Sequence, residues 1–187
     1  MQEDIRTDVL EQVMVFASEA HKGQIRKYSG EPYVNHPVRV METCRTVTSD
    51  TSILCAALLH DVLEDTRVGE QEILSFLEPL IGPGKAQRTL QLVIQLTDVY
   101  TKESYPRHNR KRRKEMEHKR LSTISADAQT IKYADVIDNA PDTATADPDF
   151  APKLLKEYRD MLDMIEKGDP KLYEKALATV ESELAAF

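Results

Sequence analysis

Apolar positions recur every three or four residues along most of the chain, the period of a helix with one buried face. Ile5, Val9, Val13, Phe16 and Ala17 predict an amphipathic helix over 4–21, and Gly23 suits the position after its C-terminus. A polar loop from Gly23 to Asn35 follows. Pro37 suits the first turn of the next helix, with Asn35 or His36 near its N-cap, and Val38, Val40, Met41 and Val47 continue it. Asp50 or Thr51 caps a third helix, Ser52 to about Asp65, whose centre is apolar all round, as in a helix buried on every side. Ile73, Phe76, Leu77 and Leu80 predict a fourth, broken by Gly82-Pro83-Gly84, and Leu90, Val93, Ile94 and Leu96 mark a fifth. The basic segment after Pro106 is a sixth. Ile131, Tyr133, Ala134 and Ile137 belong to a seventh that should end or kink at Asn139-Ala140-Pro141. Leu154, Leu155, Tyr158, Leu162 and Ile165 make an eighth, stopped by Gly168, and Asp169-Pro170 restarts the chain as a last helix. No run keeps a period-two alternation, and no repeat or linker divides the chain. The expectation is a single all-α domain over residues 1–187.

Composition narrows the class. The chain has 187 residues, 41% apolar and 30% charged, enough for a packed core without disulfides. The longest apolar run, Ile53 to Leu59, is too short to cross a bilayer. The N-terminus lacks the basic-then-apolar pattern of a secretory signal, so a cytoplasmic location is expected. Cys44 and Cys55 have no metal or disulfide spacing and read as small buried hydrophobes. The net charge of −7 argues against wholesale binding to nucleic acid. Yet between Lys102 and Arg120 nine Lys or Arg stand against three Glu. An acidic chain with one basic segment suits a small polyanion such as a nucleotide phosphate; the competing reading is a solvated helix face. His108 and His118 in that segment are expected to be exposed, and His21 to be structural or a pocket wall. Met161, Met164, Tyr158 and Tyr173, at helical spacing, read as core or interface. The oligomeric state stays open, a homodimer included.

Charged side chains seldom sit inside an apolar helix unless they are paired or ligating. His60, Asp61, Glu64 and Asp65 break that rule within six residues. Glu64 lies four residues after His60, and Asp65 four after Asp61, so four titratable groups crowd one end of the predicted third helix. The alternative is a helix end emerging into water. His36, at a helix start, offers a further imidazole. Asp135 sits among apolar neighbours, with Lys132 one turn before it and Asn139 one turn after. Two His and two Asp with open positions suit Mn²⁺, Fe²⁺ or Zn²⁺ better than Mg²⁺, which prefers all-oxygen ligands.

Three stretches carry a resemblance to a known family. They are His21-Lys-Gly-Gln-Ile-Arg-Lys27 through Ser29-Gly-Glu-Pro-Tyr33 to His36-Pro37, Ala56 to Thr66 with its His-Asp-Val-Leu-Glu-Asp-Thr, and Lys132-Tyr-Ala-Asp135 closing with Asn139. In order and approximate spacing they resemble the hydrolase domain of the RelA/SpoT homologues, in the HD metal-dependent phosphohydrolase superfamily, and the short chain looks like a small alarmone hydrolase. The resemblance implies an HD-domain bundle of roughly eight to ten helices. It implies that His36, His60, Asp61 and Asp135 hold Mn²⁺ and that Glu64 and Asp65 activate or position the attacking water. It implies that Arg26, Lys27 and Asn139 hold the nucleotide. Ser29 and Tyr33 in the motif loop, and Lys102 and Arg110 in the basic segment, are further candidate substrate contacts. The implied reaction removes the 3′-pyrophosphate of (p)ppGpp, giving GDP or GTP. Tyr133, Val136 and Asp138 depart from the usual third motif. The departures keep open a different nucleotide, such as an adenosine alarmone or another 3′-phosphorylated nucleotide, with the same metal chemistry. A catalytically silent nucleotide-binding regulator is the remaining reading.

Overall fold

Among the described residues the pattern of apolar positions is realised as ten helices: α1 Gln2–Ala20, α2 Asn35–Arg45, α3 Thr51–Leu59, α4 Val62–Asp65, α5 Glu70–Ile81, α6 Pro83–Leu96, α7 Arg110–Leu121, α8 Ala126–Ala146, α9 Ala151–Leu162 and α10 Pro170–Leu184. The structure is a computed structural model and describes residues 2–27, 29–146 and 149–187. Among these there is no strand; Ile25 and Pro32 form an isolated antiparallel bridge. The all-α expectation therefore holds. The side chain of Ile5, expected on the apolar face of α1, lies outside the described set. The fold divides into two compact units, one ending at Thr97 and the other running from Asp98 to Phe187.

In the first unit α3 is the centre. It packs against α1, α2 and α6, and every residue from Ser52 to Leu59 is buried. Seven consecutive apolar residues can be buried on all sides only where other helices surround them. Asp50 caps its start, accepting from the Ser52 and Ile53 amides at 2.8 and 3.3 Å. The other oxygen of Asp50 accepts from Arg88 of α6 at 2.7 Å. Cys44 and Cys55 are buried and free, as expected.

Two boundaries in this unit differ from the sequence reading. The N-cap of α2 is Val34, with no side-chain cap, because the Asn35 amide donates to Glu31 instead. The predicted third helix is also interrupted, ending as α3 at Leu59 and resuming as α4 at Val62. The Ala57 carbonyl, which an unbroken helix would give to the amide of Asp61, accepts from His60 Nδ1 at 2.8 Å. Asp61 itself opens to ψ −5°, away from the helical value.

In the second unit α8 packs against α9 and α10, α9 against α10, and α7 against α9. Asn109 and Asp169 cap α7 and α10 with their side chains. Helix α8 does not end at Asn139–Pro141 but runs on to Ala146 with Pro141 inside it. Pro141 is exposed, while Ala140 and Thr143 beside it are buried. Packing of that face offsets the one backbone bond that proline removes. The expectation of exposed histidines in the basic segment fails as well. His118 is buried and His108 half-buried, because α7 turns His118 and Leu121 inward. Burial, and after it the Lys114 ammonium, holds the His118 imidazole below its ordinary range. Of the side chains read as core or interface, Met161 is buried, Tyr158 and Tyr173 are half-buried and Met164 is exposed. No helix among the described residues is long and apolar enough to cross a membrane.

Candidate metal centre

In the first unit the interruption after Leu59 places His60 and Asp61 beside the start of α2. The imidazole rings of His36 and His60 meet edge to face, with centroids 5.1 Å apart. Asp61 Oδ2 lies 3.2 Å from His60 Nε2 and 3.5 Å from His36 Nε2. Both histidines are buried. His60 Nδ1–H donates to the Ala57 carbonyl, which leaves Nε2 on the side that faces the Asp61 carboxylate. Two imidazole nitrogens converging on one carboxylate oxygen are a donor set for a divalent transition metal. The residues fit such an ion.

The loop before α2 is fastened to this group. The Tyr33 hydroxyl is 2.8 Å from Asp61 Oδ2 and 2.8 Å from Asp65 Oδ2. Burial, followed by the charges of Asp61 and Asp65, pushes that hydroxyl well above its ordinary range, so it stays a donor. Gln24 Nε2 donates to the Asp65 carbonyl at 2.7 Å. Glu64 and Asp65 themselves are exposed. Arg26 is buried in the loop, where its amide donates to the Glu31 carbonyl, whereas Lys27 and Ser29 are exposed. Gly30, at φ 72°, makes the turn that closes the loop.

In the second unit Asp135 is buried mid-way along α8 and both its oxygens are engaged. Lys132 Nζ donates to Oδ2 at 2.8 Å and Asn139 Nδ2 to Oδ1 at 2.5 Å. Each oxygen keeps a further lone pair for an ion. His36, His60 and Asp135 are thus three buried side chains, each presenting the kind of ligand atom a divalent metal takes. Lys102 is exposed. Arg110, at the start of α7, pairs with Glu157 and lies over the Phe150 ring at 5.4 Å.

Sequence reasoning passed over two residues that organise these segments. Gln24 stands in the first motif with no role of its own assigned. Glu117 stood among nine cations, yet it is buried and gathers the 98–102 segment. Its Oε2 accepts from the amides of Val99 and Tyr100 at 3.2 and 3.1 Å, and its Oε1 from Arg120 Nε at 2.7 Å.

Comparison with known proteins gives a consistent setting. Residues 14–161 match the HD domain family. The guanosine-3′,5′-bis(diphosphate) 3′-pyrophosphohydrolase MESH1 of Xenopus tropicalis is 35% identical over 159 residues, 82% of this chain and 80% of that protein. MESH1 of Danio rerio is 32% identical over 167 residues, 87% of this chain and 84% of that protein. Among solved structures, a metazoan orthologue of SpoT that hydrolyses ppGpp shares the fold. Its TM-score is 0.76 at 24% identity, covering 96% of this chain and 97% of that one.

Proposed function

The chain belongs to the HD domain family, and from that membership we propose that it is a metal-dependent (p)ppGpp 3′-pyrophosphohydrolase, releasing GDP or GTP and pyrophosphate. The observation that carries the reading is the convergence of His36 Nε2 and His60 Nε2 on Asp61 Oδ2. The family match spans both compact units, which supports reading residues 1–187 as one HD-type domain.

His36, His60 and Asp61 of the first unit, with Asp135 of the second, would hold one Mn²⁺. A bound divalent ion lowers the pKa of a water and neutralises charge at a phosphoryl oxygen. Around it the chain's own groups do the rest. Asp65 and Glu64, one turn past Asp61 and open to solvent, accept the water's proton or orient it. Lys132 keeps a positive charge beside Asp135 and donates to the same carboxylate. Arg26, Lys27, Ser29, Lys102, Arg110 and Asn139 are the groups proposed to bind the nucleotide. Arg110 would have to leave Glu157 to do so. Positioning and charge neutralisation are most of what phosphoryl transfer requires.

Purified, chelator-stripped protein mixed with guanosine tetraphosphate, with and without Mn²⁺, tests the proposal. Release of GDP and pyrophosphate only with Mn²⁺, absent in His60→Ala, is the expected result. Stoichiometric Mn²⁺ binding without turnover would reject the guanine substrate.

A further inference from the structure

We propose that Tyr33 is a positioning residue that locks Asp61 and Asp65 into one rigid pair, an inference that rests on the proposed hydrolase function. Asp61 and Asp65 are one helical turn apart, and their like charges push them away from each other. The Tyr33 hydroxyl stands 2.8 Å from an oxygen of each. One phenolic proton serving two acceptors holds both carboxylates at a common point and offsets their repulsion.

The ring that carries the hydroxyl is itself fixed. It stacks on His21, with centroids 4.6 Å apart and planes at 24°, and meets His36 edge-on at 6.0 Å. His21 Nδ1 lies 2.8 Å from Gln24 Oε1. Gln24 then reaches both ends of the pair. Its backbone carbonyl accepts from the Tyr33 amide at 3.1 Å, and its side-chain amide donates to the Asp65 carbonyl at 2.7 Å. His21, Gln24 and Tyr33 come from the loop and the end of α1, and together they set where the end of α4 stands.

The consequence is mechanical. Asp61 Oδ2 is the oxygen that faces His36 and His60, and it is also the oxygen that faces Tyr33. Asp65 is one of the two acids proposed to take the water's proton or orient it. Through one hydroxyl, the placement of a metal ligand and the placement of that acid are therefore coupled. Partners that orient a ligand in this way commonly change metal affinity 10- to 100-fold, so about a tenfold effect is expected here. A direct nucleotide contact would leave the hydroxyl turned to substrate; here it is turned to the two acids.

Tyr33→Phe removes the hydroxyl and keeps the ring stack. Calorimetric titration with Mn²⁺ should give a Kd raised about tenfold. The kcat on guanosine tetraphosphate should fall about tenfold while KM stays within twofold. A raised KM with kcat and Mn²⁺ affinity unchanged would make Tyr33 a nucleotide contact and overturn the proposal, as would no change in any of the three. Gln24→Ala leaves the hydroxyl and loosens the tether. It should shift Mn²⁺ affinity and kcat the same way but less, and it carries the test if Tyr33→Phe does not fold. If the wild-type chain proves inactive on guanosine tetraphosphate, the function fails, but the Mn²⁺ titrations still decide the role of Tyr33.

Discussion

His60 and Asp61 stand where a buried helix stops, whereas Asp135 stands within a helix of 21 residues that does not. The first region gains its geometry from side chains. The His60 ring takes the Ala57 carbonyl, Asp61 turns between two imidazoles, and Tyr33 and Gln24 tie a loop onto α4. The second gains it from helical spacing alone. Lys132 and Asn139 lie three residues before and four after Asp135, so both reach its carboxylate from one face. A site held by side chains should be undone by deleting one of them. A site held by backbone spacing should be undone by disturbing the helix.

The largest effect is expected at the interruption. His60→Ala should lower kcat/KM for guanosine tetraphosphate about a thousandfold, roughly 4 kcal/mol of barrier, with Mn²⁺ binding lost in parallel. Residual Mn²⁺-dependent turnover near wild type would break the assignment of the first region. Lys132→Met preserves α8 and removes only the charge beside Asp135. A loss of 10- to 100-fold in activity, with an unchanged melting temperature, would separate orientation of the carboxylate from integrity of the helix.

A third prediction disturbs the helix's support instead. A Cβ at Gly168 would come within 2.5 Å of Tyr133 Cε2 and 2.8 Å of the Thr130 backbone nitrogen, both on α8. The same loop is bonded to α8 through Thr130 Oγ1, Gln129 Oε1 and the Tyr133 hydroxyl. Gly168→Ala should therefore destabilise the fold by about 1–3 kcal/mol, read as a lowered denaturation midpoint. An unchanged midpoint would mean that the α9–α10 loop yields freely.

The two regions were unequally legible in the sequence. Along α8 a regular period places Lys132, Asp135 and Asn139 on one face without further information. At the end of α3 the same reasoning runs straight through His60 and Asp61, because the interruption comes from a side chain competing for a backbone carbonyl, which periodicity does not register. The fold class followed from repeated apolar spacing. At Pro141 local chemistry argued for an end or a kink; the helix does not end there, and packing of Ala140 and Thr143 supports its continuation. His118 and Glu117 were hidden by their basic neighbours, since charge density describes a segment and not the one face of it that turns inward.

Smaller effects sharpen the contrast at the loop. The Arg39 guanidinium, then the Asn35 amide, hold the Glu31 carboxyl at about 2 instead of 4.5. Its contribution to stability is complete above pH 4.5 and disappears as the pH falls toward 2. Arg39→Ala should raise the acid-unfolding midpoint, followed by circular dichroism; an unmoved midpoint would remove Glu31 from the loop's support. The least effect of all is expected at the thiols. Burial pushes Cys44 and Cys55 up to about 12, so a thiol reagent at pH 8 should leave both unmodified until the chain unfolds.

One Mn²⁺ held jointly by the side-chain-built group and the helix-built group is the central claim, and calorimetric titration of wild type, His60→Ala and Asp135→Ala with Mn²⁺ tests it most directly. The expected result is one ion per wild-type chain, with tight binding abolished in both variants. Retention of tight, stoichiometric Mn²⁺ binding in Asp135→Ala would contradict it, leaving the ion to His36, His60 and Asp61 alone.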